Sequence, residues 1–292
     1  MLACVAGLWW WTRRRLGIQS ITSPTPLTFR VIEVEGWSIH YHRWGHGPDL
    51  LLIHGIGADL MCWRPLLPFL SDHFTVTVLD LPGFGHSSKL IPADYGLDAQ
   101  VERLLAFLDA LRIRTTFVVG NSMGGNIALW LALKHANRVS GVAVIAPATR
   151  PGLVPIPLAP WTWLSHPLSL MLNRHTLGWA HRRVVSRPHL IDAARIESSL
   201  QVYARNHEAV RSFLLATAAI RDPRLPKSLA GVRDRVLLLW GSNDRLVSRR
   251  VIEELESLLP DVESHIHLGG GHHLQEDEPE WVAQKLREFL LS

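Results

Sequence analysis

The stretch Thr116-Phe117-Val118-Val119-Gly120-Asn121-Ser122-Met123-Gly124-Gly125 decides how this chain reads. An apolar, β-branched run stops at a glycine-rich turn, and Asn126-Ile127-Ala128-Leu129-Trp130-Leu131-Ala132-Leu133 follows with helical character. The expected order is strand, sharp turn, helix. A G-x-S-x-G pattern in that setting holds a serine on a strained turn with its Oγ exposed. Gly120 and Gly124 are needed where strand and helix cross, because a side chain there would collide. The helix that follows aims its N-terminal amides, with their partial positive charge, at the serine. The five-residue pattern alone arises often by chance; the strand before it and the helix after it make Ser122 the candidate nucleophile.

On both sides of this stretch, strands alternate with helices. Upstream, residues 29–35 and 38–43 read as two strands joined at Gly36-Trp37, an antiparallel hairpin. The continuous apolar run Leu50-Leu51-Leu52-Ile53 reads as a strand buried on both faces and ends in His54-Gly55-Ile56-Gly57. A helix over 60–70, a strand over 74–79, the tight turn Asp80-Leu81-Pro82-Gly83 and a helix over 97–111 precede the serine. Downstream come strands at 139–145, 235–240 and 262–268, with helices at 249–259 and 279–290. Such alternation predicts a mostly parallel sheet with helices on both faces. Between 147 and 224 the rhythm breaks: prolines 147, 151, 155, 157, 160 and 167 come first, then helical patterns over 191–204 and 209–220. That segment reads as a helical insertion, giving a leader and linker at 1–26, a core of 27–146 with 225–292, and a helical cap at 147–224.

A serine hydroxyl is a poor nucleophile near neutral pH and needs a base, itself oriented by an acid. On an open α/β sheet those groups belong at the carboxyl ends of strands, in the order Ser, acid, His. Asp244, in Gly241-Ser242-Asn243-Asp244, and His272, in Gly269-Gly270-Gly271-His272-His273, both meet that demand. The chain holds 16 histidines, so position and order carry the assignment, not residue type. His273 stays a rival for His272, and the glycines before them suggest a flexible loop. The oxyanion hole needs two backbone amides, expected from Met123 and from Ile56. His54 and Asp80 read as structural. No metal or other cofactor is expected, because the adjacent His272-His273 pair lacks ligand spacing and no H-E-x-x-H occurs.

Of the 292 residues 47% are hydrophobic and 19% charged, enough for a sizeable core. Cys4 and Cys62 form no disulfide framework, which fits a reducing, cytoplasmic compartment. The net charge is +4, but ten arginines against four acids between Arg150 and Arg224 give that segment a local excess of six. It would suit an anionic substrate or membrane surface, or simply be a solvated helical face. Nothing points to nucleic acid. At the N-terminus, an apolar run ending in Trp9-Trp10-Trp11 meets Arg13-Arg14-Arg15. It is about half the ~20 residues a spanning helix needs, and its charges follow the apolar run, the reverse of a secretory signal. Tryptophan beside arginine suits a lipid interface, so weak peripheral membrane contact is expected there, the alternative being a disordered leader or a segment packed on the domain.

Taken together, His-Gly-Ile-Gly at 54–57, Asp-Leu-Pro-Gly-Phe-Gly-His-Ser at 80–87, Gly-Asn-Ser-Met-Gly-Gly at 120–125, Gly-Ser-Asn-Asp at 241–244 and Gly-His at 271–272 resemble the α/β-hydrolase superfamily. The resemblance implies an eight-stranded, mostly parallel sheet with a helical cap inserted after the sixth strand. The tail from His272 to Pro279 is similar to that of haloalkane dehalogenases, but these and epoxide hydrolases carry an aspartate where this chain has Ser122. Asn121 before the serine is similar to C–C bond hydrolases of meta-cleavage products, which place a tryptophan where this chain has His273. The Trp/Arg leader is similar to membrane-anchored monoacylglycerol lipases. The expectation is a serine esterase or lipase without a cofactor, acting on a small substrate with an apolar acyl or aromatic group through Ser122, Asp244 and His272. The alternatives are a C–C bond hydrolase using the same residues and a non-catalytic binding module on the same fold.

Overall fold

The computed structural model describes residues 28–292. The strands are β1 (Arg30–Val34), β2 (Trp37–Gly45), β3 (Asp49–Ile53), β4 (Thr75–Leu79), β5 (Thr116–Asn121), β6 (Val139–Ile145), β7 (Val236–Gly241) and β8 (Val262–His267). They form one sheet in the order β1-β2-β4-β3-β5-β6-β7-β8. β2 runs antiparallel to both neighbours, and every other pair is parallel. The helices are α1 (Leu97–Ala110), α2 (Met123–Lys134), α3 (Ser165–Met171), α4 (Arg174–Val184), α5 (Ala193–Tyr203), α6 (His207–Arg221), α7 (Arg224–Ser228), α8 (Arg249–Leu258), α9 (Leu274–Asp277) and α10 (Pro279–Leu290).

The central strands are apolar throughout because both faces are covered. Leu51, Ile53, Val118, Val142, Val144 and Leu238 pack with α1, α2 and α8 in one core. Their alternates Leu50, Leu52, Val119, Ala143, Ile145 and Leu239 pack with α10 in the other. β3 pairs with β4 on one side and β5 on the other. The chain therefore leaves β3 in opposite directions, opening a crevice at the carboxyl ends of β3 and β5, where open α/β sheets bind their ligands. Ser122 follows the last residue of β5 at that point.

The structure departs from the sequence expectation at one place in the core. Residues 60–70 are not an α-helix but two 3₁₀ turns, Leu60–Trp63 and Leu67–Phe69. Pro65 and Pro68 lack the N–H groups a continuous α-helix would need. Three-residue bonds such as Arg64 N to Met61 O (3.1 Å) and Phe69 N to Leu66 O (3.1 Å) replace them. Between β6 and β7 the described elements are helical, and α3 and α4 are not legible from apolar spacing. α4 buries little beyond Leu177, Gly178 and His181, so its face carries a weak hydrophobic signal. Its start is fixed by a capping box: Asn173 accepts from the Thr176 amide and Thr176 Oγ1 accepts from the Asn173 amide.

Candidate active site

Ser122 sits between β5 and α2 with φ 55° and ψ −117°, a conformation disfavoured for any side chain. Its neighbours over-determine it. The Ser122 amide donates to Ile145 O (3.0 Å), and its carbonyl accepts from Gly125, Asn126 and Ala148. Strain of this kind persists only when the surroundings fix it. A Cβ on Gly120 would lie 2.1 Å from Gly124 O, and one on Gly124 would lie 2.2 Å from Ile53 O, so the strand–helix crossing tolerates only glycine at both positions. The serine is not open to solvent: it is 6% exposed. The loop after β3 closes over it, with Gly55 so near that a Cβ there would lie 3.1 Å from Ser122 Cβ.

Asp244 lies on the loop after β7, its side chain wholly buried. Oδ1 accepts from the amides of Leu246 (2.8 Å) and Val247 (2.9 Å), which leaves Oδ2 to meet His272 Nδ1 at 2.8 Å. With Nδ1 committed to the carboxylate, Nε2 is the nitrogen left to take a proton. His273 is engaged elsewhere, its Nδ1 2.5 Å from Glu276 Oε2. Among the two histidines, it is His272 that the acid after β7 orients.

The glycine loop before His272 is pinned, not flexible. The Gly271 amide donates to Asp277 Oδ2 (2.8 Å), Asn243 N donates to Gly270 O (2.9 Å), and His273 N donates to Val184 O at the end of α4 (2.9 Å). A Cβ on Gly271 would stand 2.7 Å from Ser186 N. Gly270 and Gly271 serve close packing around β7 and the helical segment, while Gly269 takes a positive φ of 89° with open space around it. Asn121, whose side chain is fully buried, adds a second tie: Nδ2 donates to Ile145 O and to His272 O, both at 3.1 Å. One residue thus connects the serine turn to the backbone of the histidine. Sequence reading used Asn121 only as a point of resemblance, and its signal was its place inside the turn.

Ile56 lies between Gly55 and Gly57 on the loop after β3, and Met123 opens α2; neither amide enters a turn or loop hydrogen bond among the described residues. His54 is neutral in its role. Burial holds its pKa below the ordinary histidine value, Nδ1–H donates to Gly55 O (2.7 Å), and Nε2 accepts from Leu81 N (3.0 Å). Asp80 accepts from the amides of Leu60 and His86 and from His40 Nδ1 (2.8 Å each). Burial pushes its carboxyl up, but these bonds outweigh it and hold the pKa below the usual range.

A cavity of about 510 Å³ opens beside the site, lined by Ile56, Gly57, Ala58 and His273 and walled by Met171, Leu177, Val210, Phe213 and Leu214. Arg195, counted from sequence among the basic excess of the helical segment, is buried at its edge. Its Nη1 meets Asp59 Oδ1 at 2.7 Å and its Nε meets Glu276 Oε1 at 3.1 Å. Burial pushes Glu276 up, but Arg195 and His273 outweigh that and bring it to about 2. Several other arginines of the segment are also ion-paired, Arg174 to Glu197, Arg187 to Glu278 and Arg224 to Asp222 among them.

A family model described as the alpha/beta hydrolase fold matches residues 48–279. The chain belongs to that family. Among curated relatives, this alpha/beta hydrolase is 29% identical over 259 residues to a pimeloyl-[acyl-carrier protein] methyl ester esterase of Vibrio vulnificus, covering 86% of this chain and 97% of the relative. It is 29% identical over 258 residues to a putative carbamate hydrolase of Pantoea ananatis, covering 82% and 87%. Among solved structures, a membrane phospholipase A described as a bacterial virulence factor superimposes with a TM-score of 0.77 at 29% identity, covering 99% of this chain and 94% of that one. The alpha/beta hydrolase is accordingly an enzyme of a family whose named relatives hydrolyse.

Proposed function

We propose that this alpha/beta hydrolase cleaves carboxylic esters with an apolar acyl group through a Ser122 acyl-enzyme. The observation that carries the reading is the buried His272–Asp244 pair at 2.8 Å, tied by Asn121 to the strained turn that bears Ser122. Ser122 Oγ attacks the ester carbonyl while His272 Nε2 takes its proton, and Asp244 steadies the imidazolium that forms. The amides of Ile56 and Met123 hold the oxyanion. Collapse of the tetrahedral intermediate sends the alcohol out with the proton from His272, and water activated by the same nitrogen then releases the acid. The apolar cavity beside Ile56 is of a size for an acyl chain. An esterase among the 29%-identical relatives supports the same choice.

The test is a panel of p-nitrophenyl esters of rising chain length. kcat/KM should climb with chain length until the cavity is filled, and Ser122→Ala should lose roughly 10⁴-fold or more in kcat. Turnover of a meta-cleavage dienone with no ester hydrolysis would move the reading to C–C bond cleavage by the same residues.

We place this activity at a lipid surface. Trp161, Trp163 and Trp179 are exposed on the helical segment, with Arg183 over the Trp179 ring at 5.1 Å, a pairing suited to a headgroup layer. The 29%-identical membrane phospholipase A supports that placement. Among the described residues no helix is long and apolar enough to cross a membrane, which fits peripheral contact. The tryptophan–arginine leader expected to add to it lies outside the described residues.

A further inference from the structure

The apolar cavity has two ends, which the exposure of its lining residues tells apart. At one end Ile56 and Gly57 follow Gly55, where an added Cβ would lie 3.1 Å from Ser122 Cβ, and His273 follows His272. Tyr203, Val210 and Leu214 form a buried wall. At the other end Leu168 and Met171 line the same cavity, yet they are 38% and 67% exposed. Thr176 and Ala180, which line it from α4, are exposed as well. Residues that meet both the cavity and the solvent mark a rim, so the mouth lies between α3 and α4.

The chain around this mouth is built for an apolar neighbour. No Asp, Glu, Lys or Arg occurs from residue 151 to residue 172. Within that run Ile156, Trp161, Trp163 and Leu170 are exposed besides the rim residues, and the Trp161 and Trp163 rings stack 6.4 Å apart. Large apolar side chains gathered on one exposed segment mark a place of contact. Directly after it, α4 carries the exposed Trp179, Arg182 and Arg183 and no acid. Apolar anchors beside tryptophan and arginine match a layer of acyl chains under anionic headgroups. A protein partner or a second copy seated here would stopper the cavity, whereas a bilayer supplies acyl chains through its mouth.

We propose that the mouth between α3 and α4 docks on an anionic bilayer, and that an ester dissolved in that bilayer enters through it, its acyl chain lying in the cavity that leads to Ser122. That the entering lipid is cleaved as an ester rests on the ester-hydrolase reading; docking and entry of an acyl chain do not.

Both are read without turnover, on full-length Ser122→Ala and phosphatidylcholine vesicles containing phosphatidylglycerol. Adding Trp163→Glu with Leu170→Glu, neither of which lines the cavity, should weaken co-sedimentation about tenfold or more while the melting temperature holds. Val31→Glu with Trp44→Glu puts the same two charges on exposed apolar residues of β1 and β2, and should weaken it far less. A fatty-acid methyl ester with a diazirine on its chain, dissolved in the same vesicles, should on irradiation mark Leu177, Val210 or Leu214. The Trp163→Glu and Leu170→Glu pair should lose that adduct. Equal loss of binding from both pairs of substitutions overturns the proposal, as does the absence of any adduct on the cavity wall or full-length protein that never sediments with vesicles. Hydrolysis of a soluble ester by the wild-type enzyme, measured apart, decides the ester-hydrolase reading on its own.

Discussion

Replacing Asn121 by alanine isolates the tie between the serine turn and the histidine loop. The side chain is fully buried, and its Nδ2 bonds two main-chain carbonyls at 3.1 Å. The two losses are unequal. Ile145 O keeps the Ser122 amide at 3.0 Å, so that bond costs about 1 kcal/mol. His272 O has no other backbone donor among the described residues, and leaving it buried and bare costs about 1–3 kcal/mol. Asn121 Oδ1 has no partner already, so its removal costs nothing in hydrogen bonds. The sum is about 2–4 kcal/mol of stability, read as a lower urea midpoint at unchanged slope. The kinetic effect is separate. A histidine backbone released from the turn lets the imidazole drift by about 1 Å, worth roughly 100-fold in kcat, while KM changes little because the cavity wall is untouched. Asn121→Asp should be worse, since a carboxylate would face two carbonyl oxygens. Its new carboxyl would carry a raised folded pKa, so stability would be lost as pH climbs above about 4. If Asn121→Ala kept kcat within threefold and stability within 0.5 kcal/mol, the claim that this residue positions His272 would be wrong.

His272→Ala should abolish ester turnover, whereas His273→Ala should alter it modestly through cavity shape and lower the melting temperature by stripping Glu276 of a partner. Reversed phenotypes would move the base by one residue. Stability should fall as pH drops below 6.5, because His181, lowered to about 3 by burial, stays neutral in the fold while the unfolded chain takes up the proton. The slope is up to about 1.4 kcal/mol per pH unit, and His181→Gln should flatten it between pH 6.5 and 5 in urea titrations, leaving the share due to His54. A slope unchanged by that substitution would remove His181 from the account. Deleting residues 1–15 should weaken co-sedimentation with anionic vesicles at fixed salt, since each arginine near such a surface contributes about 1 kcal/mol, without altering hydrolysis of a soluble ester. Full-length protein that never binds vesicles would end the membrane proposal.

The parts legible in the sequence were those fixed by main-chain geometry. Leu50 to Ile53 announces a strand because a β3 covered on both faces has no polar position to interrupt it. Gly120 and Gly124 announce the turn because no side chain fits there. Asp244 and His272 stand out by their place after strand ends, and the structure brings them to 2.8 Å. What stayed hidden depends on contacts between distant segments. Arg195 looks like one more surface arginine until Asp59 and Glu276, which lie 136 and 81 residues away, close on it. Asn121 points at His272 across 151 residues of chain. The 3₁₀ turns at 60–69 are hidden for a simpler reason: the apolar spacing suggests a helix, and only Pro65 and Pro68 forbid one.

The central claim is that Ser122 is a nucleophile activated by His272 and Asp244, and reaction with a fluorophosphonate tests it most directly. Intact protein should take up one phosphonyl group, mapped by mass spectrometry to Ser122, and folded Ser122→Ala should take up none. His272→Ala should label far more slowly while its melting curve remains cooperative. A folded wild-type protein that resists the probe, or an adduct on any residue other than Ser122, would contradict the mechanism.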